Sequence, residues 1–134
     1  METVLLDTMV ASAIIKKSEL QALYKPHIEG RISAISFQTV AELWKWAEKN
    51  NWGDQRKAGL EDWFRRFLIL PYDLEISKLW ASVCVHCERT GRPLSAQDAW
   101  IVATALQHNL LLLTHDSDIR DAQVPGLNLT CLLP

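Results

Sequence analysis

The chain has few of the residues that mark disulfide-stabilised, membrane-spanning or nucleotide-binding proteins. Its 134 residues include only three cysteines and five glycines. A small, odd number of cysteines is typical of a reduced cytoplasmic protein rather than of a disulfide scaffold. The glycines form no phosphate-binding loop, no apolar run is long enough to cross a membrane, and the first residues do not resemble a signal peptide. We therefore expect a cytoplasmic protein without membrane contact.

Strong charge of either sign is also absent. The net charge is −2, so no global positive field attracts nucleic acid, and any such contact must come from local basic clusters. Hydrophobic residues make up 49% of the chain, which is enough for a core. Because no linker or repeat divides the sequence, we predict one domain over residues 1–134.

Cysteine and histidine do not form a metal or catalytic motif. Cys84 and Cys87 have the spacing of half a zinc site, and Cys131 is the third cysteine. Both residues of the pair fall on the apolar stripe of a predicted helix, and there is no second pair. We interpret them as core residues. The four histidines are scattered and indicate no nucleophilic triad.

Short apolar runs alternate with longer segments of helical period. Ser95 is a good N-cap for one of these helices, and Asn109 tolerates the left-handed conformation that ends it. Such alternation is typical of a parallel α/β sheet with helices on both faces. We predict strands at residues 3–6, 32–36, 68–71, 110–114 and 128–133, and helices at residues 8–17, 37–49, 54–67, 74–90 and 95–108.

Three aspartates lie in or beside segments that should be packed. Asp7 and Asp116 each follow an apolar strand, and ligands of parallel sheets bind at the carboxyl ends of strands. Asp98 opens a helix whose residues three, four and seven positions later are apolar. Carboxylates are rarely buried unless they are paired or hold a metal ion. The pattern predicts a divalent-metal site, and therefore phosphate chemistry.

Each acid also has a purely structural interpretation. Asp7 is a common residue type for a helix N-cap or a turn, and Asp116 caps the next helical turn equally well. Asp98 can form a capping box with Ser95, although a cap does not explain why it projects from an apolar face. Glu42 lies on the polar side of its helix, where solvent exposure is the default. It is a candidate site residue only because the other candidate acids are present.

The last acidic block contains two candidates. In Thr114-His115-Asp116-Ser117-Asp118, the carboxylate closest to the strand end is Asp116, so we rank it first and Asp118 second. Thr114 is a candidate to hydrogen-bond a carboxylate or a water molecule of the site.

Six tryptophans are many for this length. Trp46 lies on the polar side of its helix and Trp52 in a loop, and exposed aromatic residues often mark interfaces. We therefore predict partner contact along the two helices between residues 37 and 67. The residues of this surface are Trp46, Trp52, Trp63, Phe64 and Phe67.

In order and spacing, the acidic blocks resemble those of the PIN domain, in particular of bacterial toxin nucleases of the VapC type. The similarity extends over nearly the whole chain. Three features depart from the pattern: Met9 stands where a polar residue is usual, Ile119 where Phe commonly follows the late acid, and the last block offers both Asp116 and Asp118. The blocks are Leu6-Asp7-Thr8, Val40-Ala41-Glu42-Leu43, Gln97-Asp98-Ala99 and Leu113-Thr114-His115-Asp116.

The resemblance implies a five-stranded parallel sheet and a Mg²⁺- or Mn²⁺-dependent ribonuclease. It also implies a homodimer, neutralised by a small antitoxin protein whose tail enters the active-site groove. All-oxygen ligands favour such hard cations over zinc. Asp7, Asp98 and Asp116 are assigned as ligands and Glu42 as a ligand or water-orienting base. The residues expected to hold the RNA backbone are Arg89, Arg92, Lys16, Lys17 and Lys45.

Two other classes compete with this interpretation. A receiver-type signalling module also collects acids at strand ends, but it needs adjacent acids after the first strand and a lysine after the last. The residues around Asp7 and His115 supply neither. A non-catalytic PIN scaffold would bind RNA or protein without cleaving, and a nuclease assay with and without EDTA separates it from an enzyme.

Overall fold

The computed structural model describes all residues from Met1 to Pro134 and contains five strands and seven helices. The strands are β1 (Thr3–Leu6), β2 (Ile32–Ser36), β3 (Leu68–Leu70), β4 (Leu111–Thr114) and β5 (Leu129–Cys131). The helices are α1 (Thr8–Lys16), α2 (Glu19–Ile28), α3 (Phe37–Lys49), α4 (Asp54–Arg66), α5 (Leu74–Arg89), α6 (Ala96–His108) and α7 (Ser117–Ala122).

The five strands form one parallel sheet in the order β3-β2-β1-β4-β5, which confirms the expected fold. The chain runs outward from the central β1 through β2 to β3, then crosses to the other side for β4 and β5. The order therefore reverses beside β1, and crevices at such a switch point bind ligands in parallel sheets. The backbone amide of Asp7 donates to the carbonyl of Leu113 at 3.0 Å, so the ends of β1 and β4 are held together at this crevice.

Alternating side chains of the strands bury the two faces of the sheet. In β1, Leu5 packs into the core under α5, α6 and α7, whereas Val4 and Leu6 face α1, α3 and α4 on the other side. Burying one such side chain contributes about 1.5–3 kcal/mol. Cys87 is buried in the first of these cores and Cys84 packs against it, which confirms that the pair is structural.

The helix ends follow the predicted signals, but the predicted helices do not include α2 or the short α7. The hydroxyl of Ser95 accepts from the amide of Asp98 at 3.1 Å, and Asn109 ends α6 with a φ of 51°. α2 was not predicted because only one of its side chains, Tyr24, is fully buried, and because Pro26 lies inside it. No helix is both long enough and apolar enough to cross a membrane.

Candidate active site

A cleft of about 460 Å³ opens at the carboxyl ends of β1 and β4. It contains all four acids that head the predicted site, contributed by the ends of two strands and by two helices. The polar residues around it are Asp7, Thr8, Ser12, Lys16, Glu42, Asp98 and Asp116, with Met9, Leu43, Trp46 and Ile101 completing the lining.

Asp7 forms the floor of the cleft and is only 4% exposed. One carboxylate oxygen accepts from the amide of Val10 at 2.8 Å, which caps α1. The other accepts from the hydroxyl of Thr114 and from the amide of His115. Burial raises the pKa of Asp7 above its usual range and the charge of Asp116 adds to this effect, while the three hydrogen bonds oppose it. The predicted contact between Thr114 and a carboxylate is therefore present.

Asp98 combines its two predicted roles. Its amide completes the cap with Ser95, while its half-buried carboxylate lines the cleft. Burial, followed by repulsion from Asp116 and Glu42, raises the pKa of Asp98 to about 6, although a hydrogen bond from Ser95 opposes the shift. A carboxylate at the start of a helix normally benefits from the helix dipole. Its raised pKa therefore reflects burial first and the neighbouring negative charges second.

Glu42 is turned into the cleft rather than into solvent. Gln38, one turn earlier on α3, donates to its carboxylate at 3.0 Å, which holds the half-buried side chain in place. The side of α3 that looks polar in sequence faces the acids, because the opposite side packs Leu43 and Ala47 into the core.

Asp116 and Asp118 are separated by the structure. Asp116 lines the cleft and accepts from the amide of Asp118 at 2.7 Å, which caps α7. Its own amide donates to the hydroxyl of Thr114. The exposed side chain of Asp118 instead borders a separate depression beside Arg92, so the structure does not bring it to the acids. The two carboxylates, at the N-cap and the second residue of α7, therefore lie on different sides.

The acids lack cationic partners. None of the protein's ion pairs involves Asp7, Glu42, Asp98 or Asp116. As the side chains stand, no three histidine, cysteine, aspartate or glutamate residues are grouped closely enough to ligate one ion. The donor set nevertheless fits a hard divalent cation, because it offers only oxygen atoms and carries repulsion that such an ion would relieve. Binding would draw the carboxylates together.

Comparison with known proteins identifies the family. The sequence model of the PIN domain matches residues 4–125. The chain belongs to the PIN domain family. Ribonuclease VapC2 of Haemophilus influenzae is 27% identical over 112 residues, which cover 84% of this chain and 85% of the relative. The tRNA(fMet)-specific endonuclease VapC of Shigella flexneri is 25% identical over 113 residues, covering 84% and 86%.

A solved structure shows the same fold. The DNA-bound VapBC complex of Salmonella typhimurium contains a chain that aligns with a TM-score of 0.81 at 25% identity, covering 98% of each chain. The expected resemblance to PIN domains of the VapC type is therefore confirmed.

Of the five predicted RNA-binding residues of this PIN domain, only Lys16 lines the cleft. Arg92 donates to the backbone carbonyl of Asp121 at 2.7 Å, and Arg89 borders another depression with His86. Arg89 is the last residue of α5 and Arg92 follows that helix, and neither arginine lines the cleft of the acids. Lys17 and Lys45 are exposed outside the cleft lining. Sequence proximity to an acid did not indicate which way a basic side chain points.

The predicted partner surface of the PIN domain is divided by burial. Phe64 and Phe67 are 8% and 9% exposed and belong to the core, so the prediction that they form a contact surface is wrong. Trp63, half-buried, stacks on Phe67 with centroids 6.1 Å apart. Trp46 is a wall of the acid cleft, and Trp52 packs against it at 5.2 Å. The last two therefore lie beside the candidate site itself.

A buried tyrosine, Tyr24, anchors the segment that carries Asp116, and the sequence does not predict this role. The hydroxyl of Tyr24 donates to the carbonyl of Thr114 at 2.6 Å and accepts from the amide of Leu132 at 3.0 Å. Because the phenol has one proton, His115, at 2.7 Å, must donate to it through Nδ1. These bonds tie α2 and the chain after β5 to the turn that carries Asp116. An isolated tyrosine in a weakly patterned helix gave no signal of this contact.

Proposed function

We propose that this PIN domain is a metal-dependent endoribonuclease that acts as the toxin of a toxin–antitoxin pair. The observation that carries the proposal is the set of four carboxylates in one cleft without any cationic partner. The ribonuclease names of relatives that cover most of the chain support the reaction, and the VapBC complexes among the solved structures support the antitoxin partner.

The environments of the cleft residues indicate different roles for them in metal binding and catalysis. Asp7 is fixed by three hydrogen bonds and would be a rigid ligand, whereas Asp98 and Asp116 lie close enough to repel each other and would move when a cation binds. When bound, a Mg²⁺ or Mn²⁺ ion would neutralise these carboxylates and stabilise charge that develops on the phosphate. Glu42, oriented by Gln38, would hold and orient the attacking water and take its proton.

Removal of divalent metal should abolish the activity. With EDTA, cleavage of an unstructured RNA by the purified protein should fall at least about a hundredfold, because four unneutralised carboxylates repel a phosphodiester. Adding Mg²⁺ or Mn²⁺ in excess should restore it. The measurement is the initial rate on a labelled RNA panel, with an Asp98→Asn preparation as the control for contaminating nuclease. Cleavage that survives EDTA in the wild type alone would contradict the proposed chemistry.

We also propose that the protein is a homodimer joined near its edge strand. The chain's exposed apolar side chains include Leu68 and Ile69 on β3, and Tyr72 and Leu74 directly after it. Unpaired strand edges with apolar neighbours favour association, and monomers seldom leave such patches uncovered.

Leu74→Asp should therefore weaken the dimer at least about tenfold. Leu74 is 79% exposed and opens α5, where an aspartate suits the helix dipole, so the fold should be unaffected. Analytical ultracentrifugation over a concentration series measures the change. Val85→Asp is the matched control, since Val85 is 41% exposed on the same helix but away from β3. Equal dissociation of both variants, or of neither, would contradict the assignment of this edge.

The antitoxin is the remaining partner. Its contact with Trp46, Trp52 and Trp63 stays a prediction, and co-expression with the product of the neighbouring gene is the direct way to find it. An antitoxin segment that enters the cleft would block the four acids. A change in the antitoxin that prevents its binding should therefore also abolish its inhibition of the nuclease.

A further inference from the structure

Basic and aromatic side chains alternate along one wall of the acid cleft. The ammonium of Lys16, at the end of α1, lies 3.2 Å from the ring centroid of Trp46 on α3. Trp46 in turn packs on Trp52 with centroids 5.2 Å apart. The guanidinium of Arg56 on α4 lies over the ring of Trp52 at 4.1 Å. These four residues, the basic–aromatic wall, come from three helices and the loop between two of them.

The wall begins in the lining of the cleft and continues beyond it through Trp52 and Arg56. Lys16 and Trp46 line the same space as Glu42, Asp98 and Asp116. Glu42 and Trp46 are one turn apart on the same side of α3, and both line the cleft, so the indole lies about one helical turn from the acid. A chain whose phosphate lies at the acids would have its next nucleotide beside Trp46.

The two cations of the wall have no anionic partner. Neither Lys16 nor Arg56 takes part in any ion pair of the protein. Partial burial, followed by repulsion from Arg56, lowers the pKa of Lys16. Arg56 is the closer of two arginines on α4 that stack on tryptophan, and its tryptophan packs on Trp46 of the cleft lining. The other arginine, Arg66, lies over Trp63, which stacks on Phe67 instead. Two neighbouring cations without a carboxylate favour an anion from outside the chain, such as a phosphodiester.

We propose that the basic–aromatic wall is the binding subsite for an unpaired nucleotide of the RNA, next to the bond that is cleaved. Lys16 and Arg56 bind its flanking phosphates and the Trp46 indole stacks on its base. The proposal rests on the ribonuclease function above and assigns Lys16, Trp46 and Arg56 to one nucleotide of the substrate. A cation over a partly exposed ring is held weakly, so an incoming base displaces Lys16 from the ring toward the phosphate. Bases of a duplex are already stacked on both sides and cannot use this surface.

The experiment measures RNA binding by the Asp98→Asn protein, which does not cleave, with fluorescence anisotropy on a short unstructured oligonucleotide. In this background, Trp46→Leu should weaken binding about tenfold, the lower part of the range for loss of one stacked base. Trp46→Phe, which keeps a ring, should restore most of it. Lys16→Gln and Arg56→Gln should each weaken binding and lower the salt slope by about 0.7, the value for one phosphate contact on a single strand. The same sequence in a duplex should bind each variant of Trp46 equally.

Arg66→Gln is the matched control, because it removes an arginine–tryptophan pair from the same helix whose tryptophan stacks on Phe67 and not on Trp46. Thermal melts check that each variant folds; the charge variants, which remove no core side chain, keep the proposal testable if Trp46→Leu does not fold. With Asp98 restored, Trp46→Leu should raise the KM for the oligonucleotide more than it lowers kcat.

Unchanged affinity in Trp46→Leu and Lys16→Gln, or equal losses for single-stranded and duplex RNA, would overturn the subsite. So would variants that bind RNA normally and lose only the antitoxin, since the wall would then belong to the protein partner. Failure of the proposed ribonuclease function can be distinguished from failure of the proposed subsite. If the chain is not a ribonuclease, the wild type would cleave no RNA in Mn²⁺, whereas the binding measurements would still support or contradict the basic–aromatic wall as a binding subsite.

Discussion

Asp98→Asn should lose RNA cleavage at least about a hundredfold while making the metal-free protein more stable. The loss is expected because Asp98 lies between Asp116 and Glu42. Its negative charge is repelled by these acids and becomes favourable only when it binds a cation. Asparagine keeps the shape of the side chain and the hydrogen bond from the Asp98 amide to Ser95, so the cap of α6 is preserved. The variant therefore separates charge from structure.

The gain in stability has a defined pH dependence. Folding raises the pKa of Asp98 from 3.8 to about 6, so the folded protein binds the extra proton and the wild type loses stability as the pH rises through this window. Above pH 6 the cost is fully present, and after a discount for partial solvent exposure it amounts to about 1–2 kcal/mol. In EDTA at pH 7, the melting temperature of Asp98→Asn should exceed that of the wild type by about 3–8 °C.

Melting curves in EDTA at pH 4 and at pH 7 make the comparison, with Mn²⁺ added in a second series. The difference between the two proteins should vanish near pH 4 and reverse with metal, because only the wild type retains the full set of carboxylate ligands. A variant that cleaves RNA at the wild-type rate, or that melts lower than the wild type in EDTA at pH 7, would remove Asp98 from the site.

The sheet and three of the acids could be predicted because each produces a pattern along the chain. Apolar runs that bury both faces of a strand are distinct from helical periodicity, and their carboxyl ends share one edge, which places Asp7 and Asp116 together. Asp98 was recognisable because a carboxylate on an apolar helix face is costly without a partner. These signals are local, and the fold only has to bring them to one edge.

Other parts of the site depend on contacts between distant segments. The sequence shows that Glu42 lies on the polar face of its helix, which suggests solvent exposure. It does not show where that face points, because this depends on what the opposite face packs against. Tyr24 joins three distant segments through one hydroxyl, a contact that leaves no periodic trace. Arg92 lies near Asp98 in sequence, but it is held by the backbone of Asp121 instead. No pattern in the sequence marks Arg56, since its position beside Trp52 arises only when α1, α3 and α4 are packed.

The two late acids should differ sharply in activity. Asp116→Asn should reduce cleavage at least about a hundredfold, and Asp118→Asn should stay within about threefold of the wild type. Asp116 lines the cleft and raises the pKa values of Asp7 and Asp98, whereas Asp118 is exposed beside another depression. Because asparagine is also a good N-cap, the first substitution retains the cap of α7 and removes only the charge.

Initial rates on unstructured RNA and calorimetric titration with Mn²⁺ measure both variants side by side. The Asp116 variant should lose metal affinity together with activity, and the Asp118 variant should keep both. Asp118→Asn also serves as the matched control, since it removes one negative charge two residues away on the same turn. Equal losses would contradict the geometry, because they require the Asp118 side chain to turn from its own depression into the cleft, past the hydrogen bond from its amide to Asp116.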